Sequence, residues 1–218
     1  MARFNTPEEF EAALSLIDTR RHGVEFVLEP YCNGPEVDVN VVLWEGEIVF
    51  FEICDDFPKP ADSLQSTGSQ SFHELDSVYP SILPSSEIEL LRSSCQDALR
   101  AMGFDRGVFH TEYRVAVSSV EYRLVDGLVD LVPRTHAISN SAGSKQAQAW
   151  LHEVNPRPPG MTASKIAETT YGVDYWGLSL LMPLGDEIRI FAPSRPFVNG
   201  AQYTWPLGQG LCLQRSES

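Results

Sequence analysis

Glu153, Asn155 and Arg157 stand two residues apart in the run Leu151-His152-Glu153-Val154-Asn155-Pro156-Arg157-Pro158-Pro159-Gly160. In an extended chain residues two apart face the same way, so the three line one face of a strand, together with Leu151, provided the extended geometry continues to Arg157. A carboxylate, a neutral amide oxygen and a guanidinium side by side suit a hard cation such as Mg2+ that bridges phosphate oxygens, with the arginine offsetting anionic charge nearby. Pro156 cannot donate to a sheet ladder and marks the strand end, where site residues often emerge. Taken alone, the same three side chains also describe a solvated polar strand end with a structural ion pair.

Two further segments offer complementary chemistry. Phe109-His110-Thr111-Glu112-Tyr113-Arg114 supplies a second carboxylate, Glu112, with His110 and Arg114 on its face. Carboxylates on neighbouring strands can share one or two magnesium ions. His110 reads as a hydrogen-bonding residue rather than a ligand, and Arg114 as an ion-pair partner for one of the acids. Upstream, Phe26 to Glu36 reads as a strand leaving the core through Glu29-Pro30-Tyr31-Cys32. Backbone groups there can read a purine edge, and Glu36 can accept from ribose hydroxyls. By itself the segment is a strand and a turn.

The elements that must position these residues are legible as patterns. Thr6-Pro7-Glu8-Glu9 is a capping box that opens an amphipathic helix to about Asp18. Val24 to Tyr31, Glu36 to Leu43 and Ile48 to Cys54 read as strands, the last two joined by Glu45-Gly46 into an antiparallel meander. Asp55 to Pro84, rich in Ser, Pro, Asp and Gly, reads as a long loop, and Lys59 within it as a solvated loop lysine. A helix from about Ser86 to Gly103 sets Leu91, Cys95 and Leu99 on one face. Strands follow at Gly107 to Ser118, Glu121 to Val125, Leu128 to Val132 and Ala149 to Asn155, with Asp126-Gly127 as a hairpin turn. Helical sequence from Thr162 to about Met182 breaks near Tyr171-Gly172, and the run Tyr171 to Trp176 reads as core. A proline- and glycine-punctuated tail with short strands ends the chain.

The three chemical segments, in the order VLEPYCNGPEVDVNVVLWEGEIVFFEI, GVFHTEYRV and LHEVNPRPPG, resemble the second half of the ATP-grasp superfamily, in particular its carnosine-synthase-like and amino-acid-ligase-like members. The resemblance implies an α+β fold with a mainly antiparallel sheet and helices packed on one face. It implies ATP with Mg2+, or Mn2+, as cofactors, and a ligase that joins a small carboxylate substrate to an amine acceptor. Glu112, Glu153 and Asn155 would ligand the metal, and Arg157 would contact the transferred phosphate. Glu29, Pro30, Tyr31 and Cys32 would hold the adenine, and Glu36 the ribose. The long separation of Glu112 and Glu153 implies an insertion at about 119–148 within a domain spanning 1–185, followed by a tail at 186–218. The family grips ATP phosphates with lysines and a glycine-rich loop ahead of the adenine hinge, whereas the only lysines here are Lys59, Lys145 and Lys165. The N-terminal part of the family fold is therefore expected to be missing from a truncated chain. A nucleotide-binding module or pseudoenzyme without turnover is the first alternative, and a metal or protein-interaction domain that kept the scaffold is the second.

Composition narrows the classes further. With 218 residues, 43% of them hydrophobic, the chain is long enough for a real core. A formal net charge of −14 would repel a phosphate backbone, which excludes nucleic acid as an expected partner. The four cysteines form no CxxC pair and point to a reducing compartment. No apolar run is long enough for a membrane span, so a cytoplasmic location is expected.

Overall fold

The computed structural model describes residues 3–15, 20, 23, 25–62, 76–135, 146–185, 187–201 and, by backbone alone, 205–208. Its centre is a six-stranded sheet in the order β7-β4-β1-β2-β3-β8, with every neighbouring pair antiparallel. The strands are β1 (Glu36–Trp44), β2 (Glu47–Asp56), β3 (Asp76–Tyr79), β4 (Gly107–Ala116), β7 (Gln148–Asn155) and β8 (Trp205–Gly208). A separate two-stranded hairpin, β5 (Val120–Val125) and β6 (Leu128–Pro133), lies between β4 and β7 in sequence. Its turn places Asp126 and Gly127 both at positive φ, as does the Glu45-Gly46 turn between β1 and β2. That pair of left-handed residues matches the natural twist of a two-residue hairpin.

Helices cover both faces of the sheet, not the single face expected, and β1 supplies the reason. All nine of its residues are buried, so both sets of its alternating side chains need cover. Val37, Val39, Val41 and Leu43 face α2 (Ser85–Ala101), which sets Leu91, Cys95 and Leu99 against them, each fully buried. Each such aliphatic side chain is worth about 1.5–3 kcal/mol relative to exposure. On the other face Val42, Trp44, Phe50 and Val108 pack under α3 (Met161–Tyr171), α4 (Tyr175–Leu181) and α5 (Glu187–Phe191), through Ala167, Tyr175, Leu178 and Ile190. These helices shield only the apolar end of that face. At its other end the outward positions of the same strands become acidic and polar.

The expected helix at the N-terminus is α1 (Pro7–Ser15), with the capping box in place. The Glu9 backbone N–H donates to Thr6 Oγ1 at 3.2 Å, and the Asn5 N–H donates to Glu9 Oε2 at 2.6 Å. Residues 16–19, where that helix was expected to end, lie outside the described residues, as do Val24 and the polar stretch 136–145. The segment 55–84 is more ordered in its described parts than a loop reading implies. It holds the end of β2, a 3-10 turn at Pro60–Asp62 and β3.

Residues 25–35 form no strand, contrary to expectation. The apolar Phe26, Val27 and Leu28 stay 56%, 86% and 61% exposed, and no ladder partner lies beside them among the described residues. β propensity does not make a strand without a neighbour to pair with. After residue 32 the chain closes onto β4. The Val115 N–H donates to Pro35 O at 3.0 Å, and a Cβ on Gly34 would stand 2.0 Å from the Val115 carbonyl oxygen. Gly34→Ala must therefore lift this crossing off the sheet. The expected cost is about 1–3 kcal/mol, measured as a lower urea midpoint; an unchanged midpoint would mean that the crossing is not rigid.

Candidate active site

Strand register turns the polar end of the sheet into an ordered array. Across β2, β1, β4 and β7 one row reads Cys54, Asp38, Glu112, Glu153, and the next reads Glu52, Asn40, His110, Asn155. Glu112 and Glu153 are direct cross-strand partners, and so are His110 and Asn155. The sequence-derived metal residues thus share one face.

A β-bulge makes this possible. Tyr113 pairs with Leu151 while Glu112 pairs with Glu153, which leaves His152 as the extra residue. Leu151 packs on the α2 side and so does Val154. The expectation that Leu151 shares the face of Glu153 is therefore corrected, because the bulge shifts the alternation between them. The strand also stops at Asn155. The Arg157 N–H folds back to Asn155 O at 2.8 Å, so Arg157 leaves the ladder and exposes its side chain, with Nη1 donating to Pro158 O at 3.0 Å. Its charge still reaches the site. Burial, and after it the Arg157 guanidinium, lower the pKa of His110 to about 4 against the opposing pull of Glu153.

His110 is held from behind. Its Nδ1 lies 2.8 Å from Asn40 Oδ1, and Asn40 Nδ2 donates to Glu52 Oε1 at 2.8 Å. The Tyr175 hydroxyl donates to the same Glu52 oxygen at 3.2 Å. This chain of bonds runs from the candidate metal face to helix α4 through side chains that are all buried. Asp38, Asn40, Glu52, Cys54 and Asp56 had escaped sequence reasoning. The only signal was the alternation Glu36-Val37-Asp38-Val39-Asn40, ordinary for a strand with one wet face, and nothing in the sequence showed that β1 would be central.

The segment expected to hold adenine meets the site at one end. Arg114 is buried, and its guanidinium joins β4 to the linker and to the 3-10 turn. It donates through Nε to Glu36 Oε2 at 2.9 Å, through Nη2 to Glu36 and to Asp62 Oδ1 at 2.8 Å, and through Nη1 to the Tyr31 hydroxyl at 2.7 Å and Cys32 O at 3.3 Å. Tyr31 also donates to Asp62, and Lys59 Nζ donates to Glu36 Oε1. Both Glu36 oxygens are thus held by cations. Lys59, expected as a solvated loop lysine, is only 8% exposed, because Glu36 draws it in. Glu29 and Pro30 remain exposed, Tyr31 is half-buried and Cys32 is buried. The structure so gathers Tyr31, Cys32 and Glu36 around Arg114, and Glu112, Glu153 and Asn155 along β4 and β7. A cavity of about 340 Å3 adjoins Glu36, Asp56, Asp62 and Arg114 under the β5–β6 hairpin.

Similarity to known proteins follows this arrangement. Over 206 residues the chain is 52% identical to ATP-grasp enzyme fsqD of Aspergillus fumigatus, an alignment that takes in 94% of this chain and 35% of that protein. Nearly the whole chain is thus similar to part of an ATP-grasp enzyme. It is also 27% identical over 175 residues to carnosine synthase 1 of Gallus gallus, covering 80% of this chain and 14% of that one. The chain thus spans about a third or less of the length of these curated relatives. Among solved structures, the fold is shared with the L-amino acid ligase of Bacillus licheniformis, at a TM-score of 0.62 and 20% identity over 94% of this chain and 41% of that one. The phosphoribosylglycinamide synthetase of Anaerococcus prevotii matches at a TM-score of 0.51 and 13% identity over 84% of this chain and 35% of its own. No family model matches. Among the described residues no helix is long and apolar enough to cross a membrane.

Proposed function

We propose that this chain provides the metal- and purine-contacting part of an ATP-dependent carboxylate–amine ligase of the ATP-grasp superfamily. The observation that carries the reading is the cross-strand pairing of Glu112 with Glu153 and of His110 with Asn155, which groups two carboxylates and an amide oxygen on one face. Magnesium fits that donor set, since hard cations take oxygen ligands. Asn155 fits in a second way: its Nδ2 is buried and finds no protein acceptor among the described residues, as suits an amide that turns its oxygen to a cation and its N–H to a bound ligand. When bound, magnesium would neutralise charge on the phosphate oxygens of ATP.

In the reaction so proposed, a substrate carboxylate oxygen attacks the γ-phosphorus of ATP and ADP leaves, giving an acyl phosphate. The amine nitrogen then attacks the acyl carbon, inorganic phosphate leaves, and the nitrogen gives up a proton to form the amide. Catalysis of this kind is mostly positioning and charge neutralisation. Glu112, Glu153 and Asn155 place the charge, and Arg157, exposed just beyond the strand end, meets the transferred phosphate. The backbone of Glu29 to Cys32, outside any ladder, is available to a purine edge. Glu36 reaches ribose hydroxyls by sharing the carboxylate that Lys59 and Arg114 now hold.

Calorimetry of ATP binding with and without magnesium tests the reading. The unaltered chain is expected to bind ATP more tightly with magnesium. Glu153→Gln should remove that dependence, a loss beyond the roughly 10–100-fold that outer partners of a metal site are worth. No ATP binding at any magnesium level, or unchanged affinity in the variant, would overturn it. ADP release on adding carboxylates and amines separates a ligase from a module that binds without turnover.

A further inference from the structure

His110 has a second role open to it, set by the hydrogen bonds behind it. Asn40 donates through Nδ2 to Glu52, which leaves its Oδ1 facing His110 Nδ1 at 2.8 Å. A carbonyl oxygen can only accept, so Nδ1 carries the ring proton and Nε2 of the neutral imidazole presents a bare lone pair. That nitrogen lies 3.9 Å from Glu112 Oε1. The distance is beyond hydrogen-bond reach, yet it lies within the span of two ligands held at about 2.0–2.2 Å from one ion. Asp38, the cross-strand partner of Glu112, completes the group: one ligand atom each from Asp38, His110 and Glu112 lie within 4.8 Å of one another. His110 is 8% exposed and Asp38 7%, so the group sits within the sheet face and not on an outer acidic surface.

We propose that Asp38, His110 and Glu112 form a site for a divalent transition-metal ion, distinct from the magnesium position at Glu112, Glu153 and Asn155 and sharing Glu112 with it. One imidazole and two carboxylates favour manganese, iron, cobalt or zinc, because imidazole suits these ions whereas magnesium holds to oxygen. The Asn40–Glu52–Tyr175 chain is the outer support such a histidine needs, fixing its tautomer and the direction of its lone pair. β1 and β4 are paired interior strands of the sheet, so the donors are spaced by the ladder itself. The site stands on its own three donors and not on the nucleotide reading, and its test uses no ATP.

Cobalt(II) alone, added to the full chain without nucleotide, is the probe. Saturable one-to-one binding with visible absorption is expected. His110→Gln and Asp38→Asn should each weaken it by about tenfold or more, while Glu47→Gln, at the exposed start of β2, should leave it unchanged. Circular dichroism of each variant separates lost ligation from lost fold. In the unaltered chain, ring-nitrogen NMR should show His110 as the Nδ1–H tautomer, with Nε2 shifting on addition of zinc. Absent saturable binding, absorption that survives both substitutions, sensitivity to Glu47→Gln but not to His110→Gln, or an Nε2–H tautomer would each overturn the proposal. None of these outcomes depends on whether ATP binds.

Discussion

Arg114→Ala is expected to cost about 3–5 kcal/mol of folding stability, read as a fall in the urea midpoint. The guanidinium side chain is 4% exposed and holds Glu36, Asp62, Tyr31 and the Cys32 carbonyl in one place. Alanine would leave two carboxylates in a poorly hydrated setting, Glu36 with Lys59 as its remaining cation, and would loosen the linker from β4. Arg114→Lys should recover only part of the loss, since an ammonium cannot span several acceptors with one planar fork. The pH dependence has a defined sign. Burial pushes the Asp62 carboxyl up, but the hydrogen bond from Tyr31 and the charge of Arg114 outweigh it, so its pKa is lowered overall. A depressed carboxylate contributes stability above its unfolded pKa and loses it as pH falls through its folded one. The gap between the original chain and Arg114→Ala should therefore narrow below the ordinary carboxylate range. A gap constant down to strong acid would show that Asp62 gains nothing from Arg114.

Glu52→Gln is expected to do the opposite and stabilise the chain. Glu52 is 3% exposed, its Oε2 has no hydrogen-bond partner among the described residues, and burial raises its pKa to about 7 despite the bonds from Asn40 and Tyr175. For an acid whose folded pKa lies above its unfolded one, no cost exists below the unfolded value. The cost grows as pH rises toward the folded pKa and then levels off. Glutamine keeps an oxygen for Asn40 and Tyr175 and carries no charge. The gain should reach about 3 kcal/mol near pH 8 and fade near pH 4, measured by urea unfolding across that range. A gain independent of pH would show that charge burial is not its source.

Stabilisation on removing a charge implies that the folded chain tolerates a strained polar core. Such strain is commonly kept where it serves a site. Here Glu52 orients Asn40, and Asn40 orients His110.

Local signals carried most of the fold. The Thr6 capping box, the Asp126-Gly127 turn, the Leu91-Cys95-Leu99 stripe and the glycine break at Tyr171-Gly172 each act within a few residues, and each stands where its chemistry puts it. Non-local facts were out of reach. Phe26 to Leu28 has the composition of a strand, yet pairing depends on what lies alongside. Lys59 looked like surface because nothing in its neighbourhood names Glu36, which is far away in sequence and adjacent in space. For the site, the two-residue spacing put Glu153 and Asn155 on one face and the family resemblance set Glu112 beside them, but Asp38 and Asn40 were invisible until β1 proved to be central. An alternating strand reads the same whether its polar side meets water or a buried array.

The extra residue at His152 changes the parity of its strand. Before it, odd-numbered residues point toward α2; after it, even-numbered ones do. One short segment can thereby follow two different rules, apolar packing at its start and ligand presentation at its end, without a loop between them. A relative whose corresponding strand lacks the bulge, aligned without a gap from the strand start, would set a core residue opposite Glu153. Counting backward from Asn155-Pro156 keeps acids matched with acids, so the strand's end and not its beginning is the dependable ruler for finding these residues in other chains.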